Sequence, residues 1–183
     1  TADSIDGGGG RGDRLGLWGD YDISFLADSL TRIERVMLWT HGPGDDYDYK
    51  IKTHDGNVAA GGLIEFNALS LHADETLIFD GSAETDGSYW VRSGAGADQI
   101  AGGGQADRLV GGGGRDTIFG GHGDDRIWGG GGGDRMDGGA GADVFETPNA
   151  NDSTGVNYDT IVGFDAAVDR INVAAGGQSG WAQ

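Results

Sequence analysis

The chain has no cysteine and only two prolines and two methionines in 183 residues. Without cysteine there is neither a disulfide framework nor thiol chemistry. No apolar run approaches the roughly eighteen residues that a membrane-spanning helix needs. Basic residues are scarce: 12 Lys+Arg stand against 30 Asp+Glu, for a formal net charge of −18. That balance argues against nucleic acid as a partner, because a phosphate backbone calls for a basic face. Catalytic signatures are missing too, with no H-E-x-x-H helix and no G-x-S-x-G elbow. His41, His54, His72 and His122 show no ligand-like spacing. Many carboxylate pairs suitable for glycoside cleavage could be drawn from so many acids, but nothing singles one out. The absence of an initiator methionine and a signal peptide fits a mature form or an excised piece of a longer protein.

What the chain has in excess is glycine, 39 residues of it. Its period is neither that of collagen nor that of a flexible linker. From Ser93 to Glu146 the sequence repeats every nine residues, six times without a gap: SGAGADQIA, GGGQADRLV, GGGGRDTIF, GGHGDDRIW, GGGGGDRMD, GGAGADVFE. Aspartate recurs at Asp98, Asp107, Asp116, Asp125, Asp134 and Asp143. Two places after each stands an apolar residue: Ile100, Leu109, Ile118, Ile127, Met136 and Phe145. Glycine at the first, second and fourth places opens backbone conformations closed to residues with a Cβ. Aspartate at the sixth supplies a hard anionic oxygen, which suits Ca²⁺ and not a soft metal. The last three places form a short strand whose middle side chain faces one way and whose neighbours face the other. One apolar residue per turn cannot make a core, but stacked turns can, and the nonapeptide G-G-x-G-x-D-x-U-x is that of calcium-binding parallel β-helices.

The array resembles the RTX (haemolysin-type calcium-binding repeat) family of proteins secreted by Gram-negative bacteria. The resemblance implies a parallel β-roll with each Ca²⁺ held between turns two repeats apart. The earlier turn gives carbonyls from its second and fourth places plus its Asp; the later gives carbonyls from its first and third places plus its Asp. On this chain the first ion falls among Gly94, Gly96, Asp98, Gly111, Gly113 and Asp116. The second falls among Gly103, Gln105, Asp107, Gly120, His122 and Asp125, with Gln105 departing from the expected glycine. The third uses Gly112, Gly114, Asp116, Gly129, Gly131 and Asp134. The fourth uses Gly121, Gly123, Asp125, Gly138, Ala140 and Asp143. A fifth would join Gly130, Gly132 and Asp134 to Asp152, nine residues beyond Asp143. The expectation is therefore about four to five calcium ions.

Around this array the chain divides into a region 1–92, the repeats 93–146 and a closing segment 147–183. Residues 7–16, GGGGRGDRLG, look like an isolated cousin of the repeat with Asp13 and Leu15 in the D-x-U relation, and without a second turn to complete a cage. The RGD within it is explained by that glycine turn and not by cell adhesion. Seven short runs follow, LGLW, YDISF, IERVMLWT, YDYKIKT, LIEF, ETLIFDG and SYWVR, rich in β-branched and aromatic residues and parted by turn residues. Residues 26–37 could be written as a short helix capped by Asp28 or Ser29, but a turn into a strand over 33–40 is preferred. Asp45, Asp46 and Asp48 lack the spacing of an EF-hand loop and read as a solvated acidic loop. The closing segment repeats the D-x-U relation at Asp159 with Ile161 and at Asp169 with Ile171. It resembles the segment that closes the β-roll of serralysin-type proteases; Asn151-Asp152-Ser153 matches a glycosylation sequon, a pattern common by chance. The expected fold is all-β: a parallel β-roll preceded by a β-rich, solenoid-like region.

Phe119 and Trp128, at ninth places, point to the outside of the roll, where they would pack against the N-terminal region or the tail, or else form a partner surface. The seventh places read Gln99, Arg108, Thr117, Arg126, Arg135 and Val144, which is not an ice-binding rank. The functional expectation is a non-catalytic Ca²⁺-binding module of a secreted protein, exported by a type I (ABC-transporter) machine and folded by calcium outside the cell or at the cell surface. The alternatives are the tail of a larger protease, lipase or polysaccharide-modifying enzyme, and an adhesin or carbohydrate-binding module with an upstream catalytic or adhesive domain.

Overall fold

In each of the seven N-terminal runs, every second side chain is apolar, which calls for strands with one covered face. The computed structural model describes residues 5–10, 12–27, 29–40, 47–147 and 157–173. Among these there is no helix. The first half forms β1 (Ile5–Asp6), β2 (Arg14–Trp18), β3 (Tyr21–Ser24), β4 (Leu30–Thr31), β5 (Arg35–Trp39), β6 (Tyr49–Lys52), β7 (Leu63–Asn67), β8 (Leu77–Asp80) and β9 (Ser88–Arg92). Each expected run contains one of these strands, and the stretch that could be written as a helix leads through a turn into β5. The repeats form β10 (Gln99–Ala101), β11 (Arg108–Gly114), β12 (Thr117–His122), β13 (Arg126–Gly132), β14 (Arg135–Ala140) and β15 (Val144–Thr147). The closing segment adds β16 (Thr160–Val162) and β17 (Arg170–Val173).

Apart from the small β1–β4 pair, the strands make two sheets, one of 8 strands ordered β17-β15-β13-β11-β9-β7-β5-β2 and one of 7 ordered β16-β14-β12-β10-β8-β6-β3. All pairings are parallel, and from β5 onward successive strands go to alternate sheets. The chain therefore winds as a flattened coil, two strands to a turn. In the repeats, equivalent residues in one sheet are 18 apart. In the N-terminal turns the corresponding separation varies, from 21 for Arg14↔Arg35 through 25 for Leu63↔Ser88 and 28 for Tyr21↔Tyr49 to 30 for Arg35↔Glu65. The sheets pass from one region to the next without a break, as the register Glu65↔Trp90↔Arg108 shows. Pattern alone left a sandwich possible for the N-terminal strands; they extend the solenoid.

The inward faces meet in a single apolar core. Its N-terminal part is aromatic: Phe66 lies 4.7 Å from Phe79 and 6.1 Å from Tyr89, ring centre to ring centre. The Tyr89 hydroxyl shares a 2.6 Å hydrogen bond with the Thr53 hydroxyl, so its polar end is satisfied inside. Glu65 points outward from β7 yet is only 4 % exposed, because it is hydrogen-bonded by Arg35 on β5 and Arg92 on β9. Burial pushes its pKa up, but the two guanidiniums overbalance that and hold it below the usual carboxylate range. In the repeats the core narrows to one apolar residue per strand, from Ile100 to Phe145.

The isolated turn at 7–16 is not alone. Asp13 donates its N–H to Glu34 Oε2 at 2.7 Å, and Gly7 donates to the Thr31 carbonyl at 3.0 Å, so a second turn lies against it. Asp48 accepts from the Thr76 N–H and hydroxyl at 2.8 and 2.7 Å, tying its loop to the following turn; Asp45 and Asp46 lie outside the described residues.

Phe66→Ala removes a fully buried ring from the aromatic part of the core. We expect a loss of about 3–5 kcal/mol in chemical denaturation of the calcium-loaded protein. Leu69→Ala, at a side chain 54 % exposed, should stay within about 0.5 kcal/mol of the parent.

Candidate metal centre

Along both edges of the roll the repeat aspartates stand in columns. On one edge the Leu77 N–H donates to Asp98 Oδ1 (2.7 Å), Asp98 N–H to Asp116 Oδ1 (2.8 Å) and Asp116 N–H to Asp134 Oδ1 (2.9 Å). On the other, Tyr89 N–H donates to Asp107 Oδ1 (2.7 Å), Asp107 N–H to Asp125 Oδ1 (2.7 Å) and Asp125 N–H to Asp143 Oδ1 (3.0 Å). Each carboxylate thus closes the backbone of the turn before it. The columns outlast the repeats: Asp134 N–H reaches Asp159 Oδ1 at 3.1 Å, and Asp143 N–H reaches Asp169 Oδ1 at 3.0 Å. Asp159 and Asp169 were legible only through their D-x-U relation. Asp152 lies outside the described residues, and the carboxylate that follows Asp134 in the column is Asp159.

The glycines make this stacking possible. Gly112 has φ +104°, and a Cβ there would collide with the Gly94 carbonyl one turn away. At Gly111 a Cβ would meet Asp116 Oδ2 and the Gly129 carbonyl. First-place glycine thus leaves room for the carboxylate of its own repeat, and second-place glycine lets carbonyls of successive turns lie close.

All residues of the four expected ion sets fall within these edges, each set drawn from two turns that stack directly. Asp98 pairs with Asp116, Asp107 with Asp125, Asp116 with Asp134, and Asp125 with Asp143. Gly112, Gly113 and Gly114 are in register with Gly130, Gly131 and Gly132. Gly121 and His122 are in register with Gly139 and Ala140, and the His122 side chain is exposed. The Gly94 and Gly103 carbonyls already accept one hydrogen bond each, from Gly113 N–H (2.8 Å) and His122 N–H (2.9 Å), which leaves a second lone pair on each. Gln105 sits at its fourth place with the side chain outside, its amide donating to the Thr85 carbonyl at 3.0 Å.

The electrostatics of this arrangement call for a cation. The six repeat aspartates are at most 1 % exposed. Oδ2 of Asp116, Asp125 and Asp143 is buried with no hydrogen-bond partner. A buried anionic oxygen without a donor is strongly disfavoured, and a hard cation taking oxygen ligands removes the penalty. Burial pushes the carboxyls of Asp98 and Asp107 up to about 6. For Asp116 and Asp125, burial together with the aspartates stacked on either side pushes them up to about 8. A metal of the Ca²⁺ class thus fits the donors present, all of them oxygens.

Two parallel sheets wound from one chain, edged by columns of buried aspartates, define a parallel β-roll of the ion-binding kind. Residues 90–118 and 110–145 match the family model described as RTX calcium-binding nonapeptide repeat (4 copies), so this chain carries an RTX repeat array. Comparison with curated proteins and with solved structures gives no match.

The raised carboxyl pKa values fix the sign of a pH effect. In the absence of calcium, the folded roll holds protons on these aspartates that the unfolded chain releases near its ordinary value of about 4. Their destabilising effect is therefore absent below that pH and grows as pH rises toward about 8. In a chelator, far-UV circular dichroism should show more β structure at pH 5 than at pH 8, and calcium should abolish the difference. Equal spectra at the two pH values would contradict the burial of these groups in the calcium-free state.

Proposed function

We propose that this chain is a non-catalytic Ca²⁺-binding β-roll module of a secreted bacterial protein, one that folds when it meets calcium outside the cell. The observation that carries the reading is the pair of aspartate columns in which Oδ2 of Asp116, Asp125 and Asp143 is buried without a protein donor. Calcium supplies the missing positive charge, and its binding becomes folding free energy because the carboxylates converge only when turns stack. A surplus of 18 negative charges resists compaction until such counter-ions arrive.

The ligands of this reading are the four sets given by the repeats. The first is Gly94, Gly96, Asp98, Gly111, Gly113 and Asp116, and each later set is displaced by one repeat. The stack of Asp159 on Asp134 supports a fifth set with Gly130 and Gly132, Asp159 taking the role expected of Asp152. Cytosolic calcium is too low to fill sites of the 10⁻⁴–10⁻³ M class common in extracellular modules. The chain would then stay extended inside the cell, as passage through a type I secretion machine requires. The closing segment bears on this by capping: β16 and β17 extend both sheets, and Phe164 packs 6.1 Å from Phe145 at the end of the core.

Far-UV circular dichroism during a Ca²⁺ titration, with Mg²⁺ as control, tests this directly. A Ca²⁺-specific gain of β structure with a midpoint on the order of 10⁻⁴–10⁻³ M is expected. A chain fully folded in EDTA at pH 8 would sink the folding linkage. Asp116→Ala removes a ligand from two sets and Asp98→Ala from one, so the first should shift the midpoint further upward.

A further inference from the structure

The outer faces of the two sheets differ in a way that the calcium reading does not use. Alternation along the strands of the 8-stranded sheet sends Arg14, Arg35, Arg92, Arg108, Arg126 and Arg170 outward. These are six of the 12 Lys+Arg in a chain of net charge −18, gathered on one surface. Four of the five tryptophans share it: Trp18, Trp39, Trp90 and Trp128. Among the described residues, the carboxylates borne by its strands, Glu65 and Glu146, are both bound to arginines of the same face. On the other sheet Lys50 and Lys52 are offset by Asp22 and Asp80, at 3.2 and 2.8 Å.

The centre of the basic face is the most ordered part. Trp90, Arg108 and Arg126 stand opposite one another on β9, β11 and β13. Beside them, in the next rank, run Arg92, Val110 and Trp128. Arg92 lies over the Trp90 ring, 4.6 Å from its centre. Val110 is only 5 % exposed although it faces outward, while Trp128 is half-buried beside it. Trp128 stands opposite Val110 on the outward face of this sheet. Arg108 has no carboxylate partner among the described residues and stands directly opposite Arg126. Like charges so placed destabilise a sheet unless something anionic lies across them.

We propose that the outer face of the 8-stranded sheet binds an acidic polysaccharide of the polyuronate class, laid along the axis of the roll. Neighbouring strands are ~4.8 Å apart, so Arg108 and Arg126 present two planar guanidiniums one rung apart. Arg108 can take a carboxylate through two hydrogen bonds, and Arg126, whose Nη1 donates to Glu146 Oε1 at 3.0 Å, keeps its remaining donors for a second. A polyuronate offers one carboxylate per sugar along an extended chain, and the apolar faces of its rings suit Trp128 and the exposed edge of Trp18. A neutral glycan would leave the arginines unused. Calcium held in the edge turns lowers the negative field of the rest of the chain without occupying this face.

The test uses the full calcium-loaded chain and short unesterified oligogalacturonates, with neutral glucose oligomers and single-stranded DNA as the competing chemistries. Titration calorimetry should show salt-sensitive binding of the oligogalacturonate and none of the neutral oligomer. Arg108→Glu should weaken that binding about ten-fold or more, as loss of a charge-assisted contact does. Lys50→Glu on the opposite sheet should leave it unchanged. Arg108→Gln serves if the reversal disturbs the calcium-induced circular dichroism transition. No binding, equal losses in the Arg108 and Lys50 variants, tighter binding of DNA, or occupation of the face by a second copy of the chain in sedimentation would each overturn the proposal.

Discussion

The structure depends on one contact repeated along two edges: a buried aspartate carboxylate accepting the N–H of the residue stacked one turn before it. The contact does two things that pull against each other. It satisfies a backbone donor at the edge of the roll, where the strands have ended and no ladder partner exists. It also draws carboxylates of successive turns into one column out of water, where each raises the pKa of the next. Hydrogen bonding alone does not resolve that conflict, because one oxygen of several carboxylates faces no donor. A divalent cation with oxygen ligands would, and the residues that fix the geometry of the turn are the same ones that offer those oxygens.

The N-terminal turns reach the same coil by other means. Their loops are longer, their inward residues include Tyr49, Phe66, Phe79 and Tyr89, and their buried acids Glu65 and Glu84 are hydrogen-bonded by the protein itself. Glu65 is bridged by two arginines, and Glu84 accepts from Val58 N–H at 3.1 Å and Gly87 N–H at 3.2 Å. A turn with large aromatic side chains buries more apolar area than a turn with a single Ile or Leu. The roll therefore grades from a part held by packing to a part held by charge compensation. The first ends in an edge on which the second stacks, so no repeat turn stands alone.

The outward faces follow a different logic from the edges. An edge aspartate is constrained by the turn, whereas a seventh- or ninth-place residue is free of it, so arginines and tryptophans can collect there without disturbing the coil. Their segregation to the 8-stranded sheet arises because alternate repeats supply alternate sheets. Arg108 and Arg126, eighteen residues apart, share a face, and Arg135, nine residues from Arg126, is on the other.

From the sequence, the period of nine, the register of Asp98 to Asp143 and the run of apolar residues from Ile100 to Phe145 were enough to determine a parallel β-roll edged by stacked aspartates. Local pattern carries that much because every repeat meets a copy of itself at fixed separation. The N-terminal strands were legible one by one, yet their sheet was not, because turns that vary from 21 to 30 residues hide the pairing that a strict period would reveal. Glu34 beneath Asp13, Asp159 after Asp134 and Asp169 after Asp143 were likewise decided in three dimensions, where loop length no longer obscures which carboxylate lies over which N–H. The basic, tryptophan-bearing face belongs to the same class: its members are scattered from Arg14 to Arg170, and only the winding of the coil brings them into one plane.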